Sequence, residues 1–185
     1  AFCLLLDFFA LATGFASLAI IAIYPFMKRI TYGPQIVLGL AFSWGALMGW
    51  PATFGRLDAS AYLLYAGSIS WVIAYDTIYA HQDRDDDLIA GLKSTALLFG
   101  ERTKPMLAVF FAGAVVLIGL AFATAHAGVV AWIGLLAFAI QLAWQVWRID
   151  IHDPALCLVI FKSNRDAGLI LFAGLILDAG LTRFA

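Results

Sequence analysis

Charge is what this sequence has least of. Asp, Glu, Lys and Arg make up 12% of its 185 residues, about half the share usual for a soluble domain. So little polar surface cannot cover a water-soluble globule of this length. The net charge of −1 gives nucleic acid no electrostatic hold. Cysteine is scarce too: Cys3 and Cys157, both in apolar surroundings, form neither a disulfide framework nor a metal motif. The histidines, His81, His126 and His152, have no second ligand at zinc spacing. The opening AFCLLL lacks the basic start of a signal peptide. No low-complexity tract or internal repeat is present.

What the chain has instead is apolar length. It is 64% apolar, with a mean hydropathy of +0.95. The apolar residues fall in blocks of roughly 18 to 24, enough to cross a hydrocarbon core of about 30 Å. Six spans can be drawn, at 7–26, 35–54, 58–80, 105–124, 129–147 and 167–184, with residues 1–5 as the tail of an earlier helix. In lipid each backbone donor and acceptor must be satisfied within its own segment, so these spans should be helices. The expected fold class is an all-α, polytopic transmembrane helical bundle. Gly39, Gly45, Gly49, Gly113 and Gly119 would let helices approach closely, or serve as ordinary packing. The polar residues Asp7 and Asp178 read as a helix cap and as a residue near the outer face.

Loop charge sets the orientation. The connections 27–34, 81–104 and 148–166 hold nine of the eleven Lys and Arg residues; only Arg56 and Arg183 lie on the other side. The positive-inside tendency places the richer face in the cytoplasm.

One segment carries candidate chemistry: YDTIYAHQDRDDDLIAGLKSTALLFG, residues 75–100. Five of the twelve acidic residues fall between Asp76 and Asp87, at the end of an apolar span. If the helix continues through them, Asp83 and Asp87 share one face, Asp76 lies deeper on the same stripe, and Asp85 points away. Two like charges at that spacing call for a positive partner. Arg84 can supply part of it. A divalent cation suits better, since Mg²⁺ takes carboxylate oxygens together with substrate phosphates. Lys93 can hold a phosphate as a point charge. Asp76, near the membrane boundary, is costly without a partner and so a functional candidate. The plainer reading is that DRDDD is a solvated loop that blocks insertion.

At these residues the chain resembles the UbiA-type intramembrane aromatic prenyltransferases, and within them the 4-hydroxybenzoate polyprenyltransferase branch. Residues 75–100 look like the family's second Asp-rich motif. YPFMKRITYGPQIVLGLAFSWG at 24–45 is a second match and FKSNRDAGLILFAGL at 161–175 a weaker third. The resemblance implies a nine-helix prenyltransferase fold, with the spans here as helices four to nine. It also implies that two Asp-rich motifs bind a polyprenyl diphosphate through magnesium, and that the departing diphosphate leaves an allylic cation for the 4-hydroxybenzoate ring to attack.

On that pattern Asp83 and Asp87 are the metal-linked carboxylates, and Arg29 holds either the acceptor carboxylate or a diphosphate oxygen. Lys93, Arg84, Asp76 and Tyr79 join the substrate-binding set, and the faces of Tyr75, Tyr79 and Trp71 can stabilise a cation. Read without the resemblance, Lys28 and Arg29 are positive-inside anchors and the aromatics are helix packing. The implied setting is a lipid bilayer, the bacterial cell inner membrane, with the site facing the cytoplasm.

The first Asp-rich motif has no match here, and the chain enters an apolar run without a Met. The expectation is therefore that residues 1–185 form the C-terminal part of one membrane prenyltransferase domain, with N-terminal helices of the same protein as its partner and no activity alone. The alternatives are a family member with another acceptor (naphthoate or haem), or a non-enzymatic cation-binding membrane transporter, which predicts mid-membrane carboxylates and an inverted repeat. CDP-alcohol phosphotransferases need an upstream D-G-x-x-A-R run that is not found. The loop charges make a direct prediction. Single cysteines at Gln82 and Asp150 should react with an impermeant maleimide from one side of oriented vesicles, and one at Ala127 from the other. Labelling of all three from one side would reject this topology.

Overall fold

The computed structural model describes residues 8–184, and every regular element among them is helical. Cys3, Asp7 and the proposed helical tail at 1–5 lie outside the described residues. Long helices are α1 (Phe8–Ile30), α4 (Ala59–Ala80), α7 (Thr103–Thr124), α8 (Val129–Arg148) and α9 (Pro154–Phe184). Between α1 and α4 run α2 (Pro34–Phe42) and α3 (Trp44–Phe54). Between α4 and α7 lie two short helices, α5 (Arg84–Ile89) and α6 (Thr95–Phe99), and a 3-10 turn at Gly100–Arg102.

Six long helical stretches thus correspond to the six expected spans. Three are by length and hydropathy apolar enough to cross a membrane: Pro34–Phe54, Thr95–Thr124 and Val129–Arg148. The largest departure is α9, which begins at Pro154 rather than near 167. Hydropathy ends a span at Lys162, Arg165 and Asp166; the helical backbone does not, because charged side chains leave its hydrogen bonds intact.

Local chemistry sets the ends. Pro34 opens α2 at a position where its missing N–H costs nothing. Gly55 closes α3 in the left-handed region (φ 67°), its N–H bonded to the Pro51 carbonyl at 2.8 Å. The single residue between α2 and α3, Ser43, stays right-handed, so the two form one bent rod. Asp178 on α9 accepts from the N–H groups of Gly128 (2.8 Å) and Ala131 (3.4 Å), and so caps the start of α8.

α4 is the hub: it packs on α7, α2, α3 and α9, while α8 bridges α7 and α9. The core holds Ile78, Leu107, Ile118, Phe138, Leu142 and Ile160, all fully buried. One polar knot crosses it. Trp71 Nε1 donates to Asn164 Oδ1 at 2.8 Å, and Asn164 and Gln145 exchange amide hydrogen bonds at 3.1 and 3.2 Å. Satisfied this way, buried amides are tolerated in an apolar interior. The outer surface shows large apolar side chains such as Phe15, Val116, Ile133 and Phe172, as a lipid-facing bundle requires.

Glycine packing only partly follows the sequence reading. Gly39 lies against Ile69, Gly113 against Ser70 and Gly119 against Trp132, but Gly45 and Gly49 face open space. Tighter helix–helix approaches are elsewhere. A Cβ on Gly67 would meet Ile118 at 2.8 Å, and one on Gly134 would meet the Gly174 Cα at 2.8 Å. Gly134→Ala should therefore lower the melting temperature in detergent by wedging α8 from α9. Gly45→Ala should leave it unchanged or raise it slightly, since alanine is favoured over glycine within a helix by about 1 kcal/mol. Equal responses would show that α8 and α9 do not meet at this point.

Candidate active site

The helix of the third span does not continue through Asp87. α4 ends at Ala80, residues 81–83 turn, and α5 begins after Asp83. Electrostatics explains the break. Carried on in α4, the four carboxylates from Asp83 to Asp87 would crowd the negative end of its dipole. A new helix instead puts Asp85, Asp86 and Asp87 in its first turn, where the dipole is positive. Asp76, Asp83 and Asp87 consequently do not share a continuous stripe.

The break has a buried footing. His81 is 3% exposed, and its Nε2 lies 2.9 Å from Thr103 Oγ1. After α5 the chain reverses at Gly91 (φ 65°). The Gly91 N–H bonds the Leu88 carbonyl (3.2 Å) and the Leu92 N–H the Asp87 carbonyl (2.8 Å), a Schellman closure.

The acidic turn docks on the end of α1. Lys28 Nζ reaches both carboxylate oxygens of Asp87, at 3.1 and 3.2 Å. Asp87 is 4% exposed. The Lys93 N–H donates to the Lys28 carbonyl at 2.8 Å, and Lys93 Nζ donates to the Ile30 carbonyl at 3.1 Å, 5.2 Å from the Tyr32 ring centroid. Gln35 on α2, also buried, accepts from the Thr95 N–H at 3.1 Å, and Thr95 and Thr77 share a 2.6 Å hydroxyl contact. Asp76 has Gln35 and Lys28 as its polar neighbours.

The site residues expected from sequence are thus brought to one end of the bundle, in unequal states. Asp87 is paired and buried. Asp83 is half-buried, caps no helix with its side chain and makes no ion pair among the described residues. Arg84 is half-buried, Asp85 and Asp86 are exposed. Arg29 is exposed, without a hydrogen bond or ion pair among the described residues. Its neighbour Lys28, read only as an anchor, is the cation that meets the acidic turn. Gln35 was missed as well; an uncharged amide inside an apolar run was its only signal.

Along α4, Trp71, Tyr75 and Tyr79 form one aromatic edge. Tyr79 and Tyr75 pack on Phe161 of α9, at 4.8 and 5.8 Å between ring centroids, and Trp71 stands edge-on to Phe138. A cavity of about 920 Å³ opens beside them between α4, α9 and the α2–α3 bend. Val72, Tyr75 and Phe161 make much of its wall, with Ser43, Asn164 and Arg165 adding polar groups. That combination suits an apolar or aromatic molecule with a few polar atoms.

Among the described residues no three His, Cys, Asp or Glu side chains converge as a metal cage. The donor set still fits a Mg²⁺ ion, which needs one or two carboxylates when phosphate oxygens and water complete its shell. Asp83 offers an open carboxylate, and Asp87 keeps acceptor capacity beyond Lys28.

Together, the long apolar helices and their outward-facing apolar side chains define a membrane-embedded helical protein, with an acidic turn docked on a basic helix end. The chain belongs to the UbiA prenyltransferase family, whose profile matches residues 1–173. It is 47% identical over 180 residues to human mitochondrial 4-hydroxybenzoate polyprenyltransferase, covering 94% of this chain and 47% of that protein. It is 41% identical over 168 residues to 4-hydroxybenzoate octaprenyltransferase of Pseudomonas aeruginosa (strain UCBPP-PA14), covering 91% and 57%. The apo structure of a UbiA homolog from Aeropyrum pernix K1 superposes with a TM-score of 0.78 at 25% identity, over 95% of this chain and 66% of that one. The chain spans about half the length of the curated mitochondrial relatives it matches.

The buried footing of the turn makes a prediction about pH. Burial, helped by the Arg84 cation, pushes the His81 pKa down to about 4. The folded state thus resists a proton that an unfolded chain would take near pH 6.5. The stability contributed by neutral His81 is present above pH 6.5 and declines as pH falls toward 4. In nanodiscs, the His81 ring shift should stay neutral down to pH 5; titration near 6.5 would show that the ring is hydrated.

Proposed function

We propose that these 185 residues are the C-terminal part of one membrane prenyltransferase domain, carrying the second of two diphosphate-binding motifs. The whole protein would transfer a polyprenyl group from polyprenyl diphosphate to the ring of 4-hydroxybenzoate, ortho to the hydroxyl, in ubiquinone biosynthesis. The observation that carries this reading is the docking of the Asp83–Asp87 turn on the basic end of α1, just past the helix whose Trp71 and Tyr75 line an aromatic-edged cavity. The names of the relatives support the choice of donor and acceptor. The bilayer, bacterial inner membrane or its mitochondrial counterpart, would hold the site on its positively flanked face.

In this reading Asp83 and Asp87 hold a Mg²⁺ ion, which when bound neutralises charge on the diphosphate as it leaves. Arg29, Lys93 and Arg84 are cations within the same end of the chain and would hold phosphate oxygens or the acceptor carboxylate. The carbon–oxygen bond of the donor breaks with its electron pair going to diphosphate. The ring carbon ortho to the phenol then bonds the allylic carbon and loses its proton. The faces of Tyr75 and Tyr79 would stabilise the allylic cation, and the apolar wall would keep water from quenching it. Asp76, set one helical turn in from the end of α4, would steady this cluster through Gln35 and Lys28.

In the complete protein, Asp83→Asn should reduce prenyl transfer by roughly a hundredfold or more, as loss of a transition-state charge contact does. Asp85→Asn, exposed at the turn's rim, should stay within about threefold of wild type. Product formation from labelled polyprenyl diphosphate, 4-hydroxybenzoate and Mg²⁺ in nanodiscs measures both. If Asp85→Asn proves as damaging as Asp83→Asn, the acidic turn does not act through these positions.

A further inference from the structure

A lysine that only anchors topology turns its ammonium toward water or lipid headgroups. Lys28 does not. Its Nζ faces inward to both oxygens of Asp87, whose side chain is 5% exposed against 38% for the lysine. A carboxylate so buried depends on its partner, because stripping the partner leaves an uncompensated charge. The same residue grips the turn a second time, its carbonyl accepting the Lys93 N–H at 2.8 Å. Two residues on, the Ile30 carbonyl accepts from Lys93 Nζ. The last turn of α1 therefore holds both ends of the segment 87–93. Between those ends lie only the rest of α5 and its Schellman closure, so the heading of α5 is set by this double grip. Asp83, at the start of α5, takes its direction from it.

We propose that Lys28 is a positioning residue for the diphosphate site: through Asp87 and Lys93 it clamps α5 to α1 and so aims the open carboxylate of Asp83. This rests on the prenyl-transfer reading for its kinetic consequence, but not for the clamp itself. Lys28 differs in role from Arg29, which is exposed and makes no hydrogen bond or ion pair among the described residues. Removing the Lys28 ammonium frees α5 and misplaces Asp83, which weakens capture of the metal–diphosphate headgroup. The aromatic acceptor, which does not use this carboxylate, is affected little.

The test uses the complete protein in nanodiscs, as wild type, Lys28→Met, Lys28→Arg, Asp87→Asn and the Lys28→Met/Asp87→Asn double variant. Lys28→Met should raise the apparent KM for polyprenyl diphosphate roughly tenfold or more, with the acceptor KM within about twofold. Lys28→Arg, which keeps the charge, should recover to within about threefold. Amides of residues 84–93 should exchange faster in Lys28→Met and in Asp87→Asn, and no faster in the double variant, since both remove one interaction. Wild-type exchange and KM in Lys28→Met would overturn the proposal. So would faster exchange with an unchanged donor KM, or a Lys28→Arg protein as impaired as Lys28→Met. Exchange needs no turnover, so coupled exchange in a protein without transferase activity would uphold the clamp and count against the prenyl-transfer reading alone.

Discussion

A half-exposed ammonium on α1 and a buried carboxylate on α5 meet at about 3 Å, and the arrangement of the charged end of this bundle follows from that pair. Four carboxylates between Asp83 and Asp87 sit beside an apolar interior, where unpaired charge is expensive. One of them, Asp87, is neutralised and buried; two, Asp85 and Asp86, are left at the rim; and Asp83 is kept open between the two conditions. The same acidic run can thus anchor the turn through Asp87 and still present the open carboxylate of Asp83.

The pair also links parts of the chain that are distant in sequence. Lys28 and Asp87 are 59 positions apart, and Gln35 and Thr95 are 60 apart. Both connections run between the α1–α2 turn and the α5–α6 segment, so two separate hydrogen-bonded ties hold one short linker. Below them α4 acts as a post. Its Trp71, Tyr75 and Tyr79 face α9, with Trp71 and Tyr75 bordering the cavity, while Thr77 on another side joins the α6 tie. One helix thus carries the aromatic wall, the deep Asp76 and the exit toward the acidic turn.

The acidic residues gather where α4 ends, next to the basic end of α1, and the apolar cavity lies one or two turns inward. That geometry separates an ionic head from an apolar tail over the length of a few helical turns. It suits the donor proposed above, a diphosphate joined to a hydrocarbon. A transported cation would require carboxylates along a path, and the one acidic residue in the cavity lining, Asp166, pairs with Arg165 at 2.8 Å.

Apolar length and loop charge alone determined the all-helical membrane class and the six long stretches, because a bilayer forces helical hydrogen bonding on any run of that kind. The acidic cluster at 76–87 and the basic pair at 28–29 were legible as well, since charge is rare enough here for its clusters to stand out. Three things belonged to tertiary structure. Hydropathy could not see that α9 continues through Lys162 and Arg165, because a helix end is set by backbone bonds rather than by polarity. Helical periodicity could not see the break before α5, which depends on where His81 is buried and which helix end the carboxylates meet. Nor could any local pattern choose Lys28 over Arg29 as the partner of Asp87. The two are adjacent in the chain, and only the 100° rotation between neighbouring helical residues turns one toward the acidic turn and the other toward solvent.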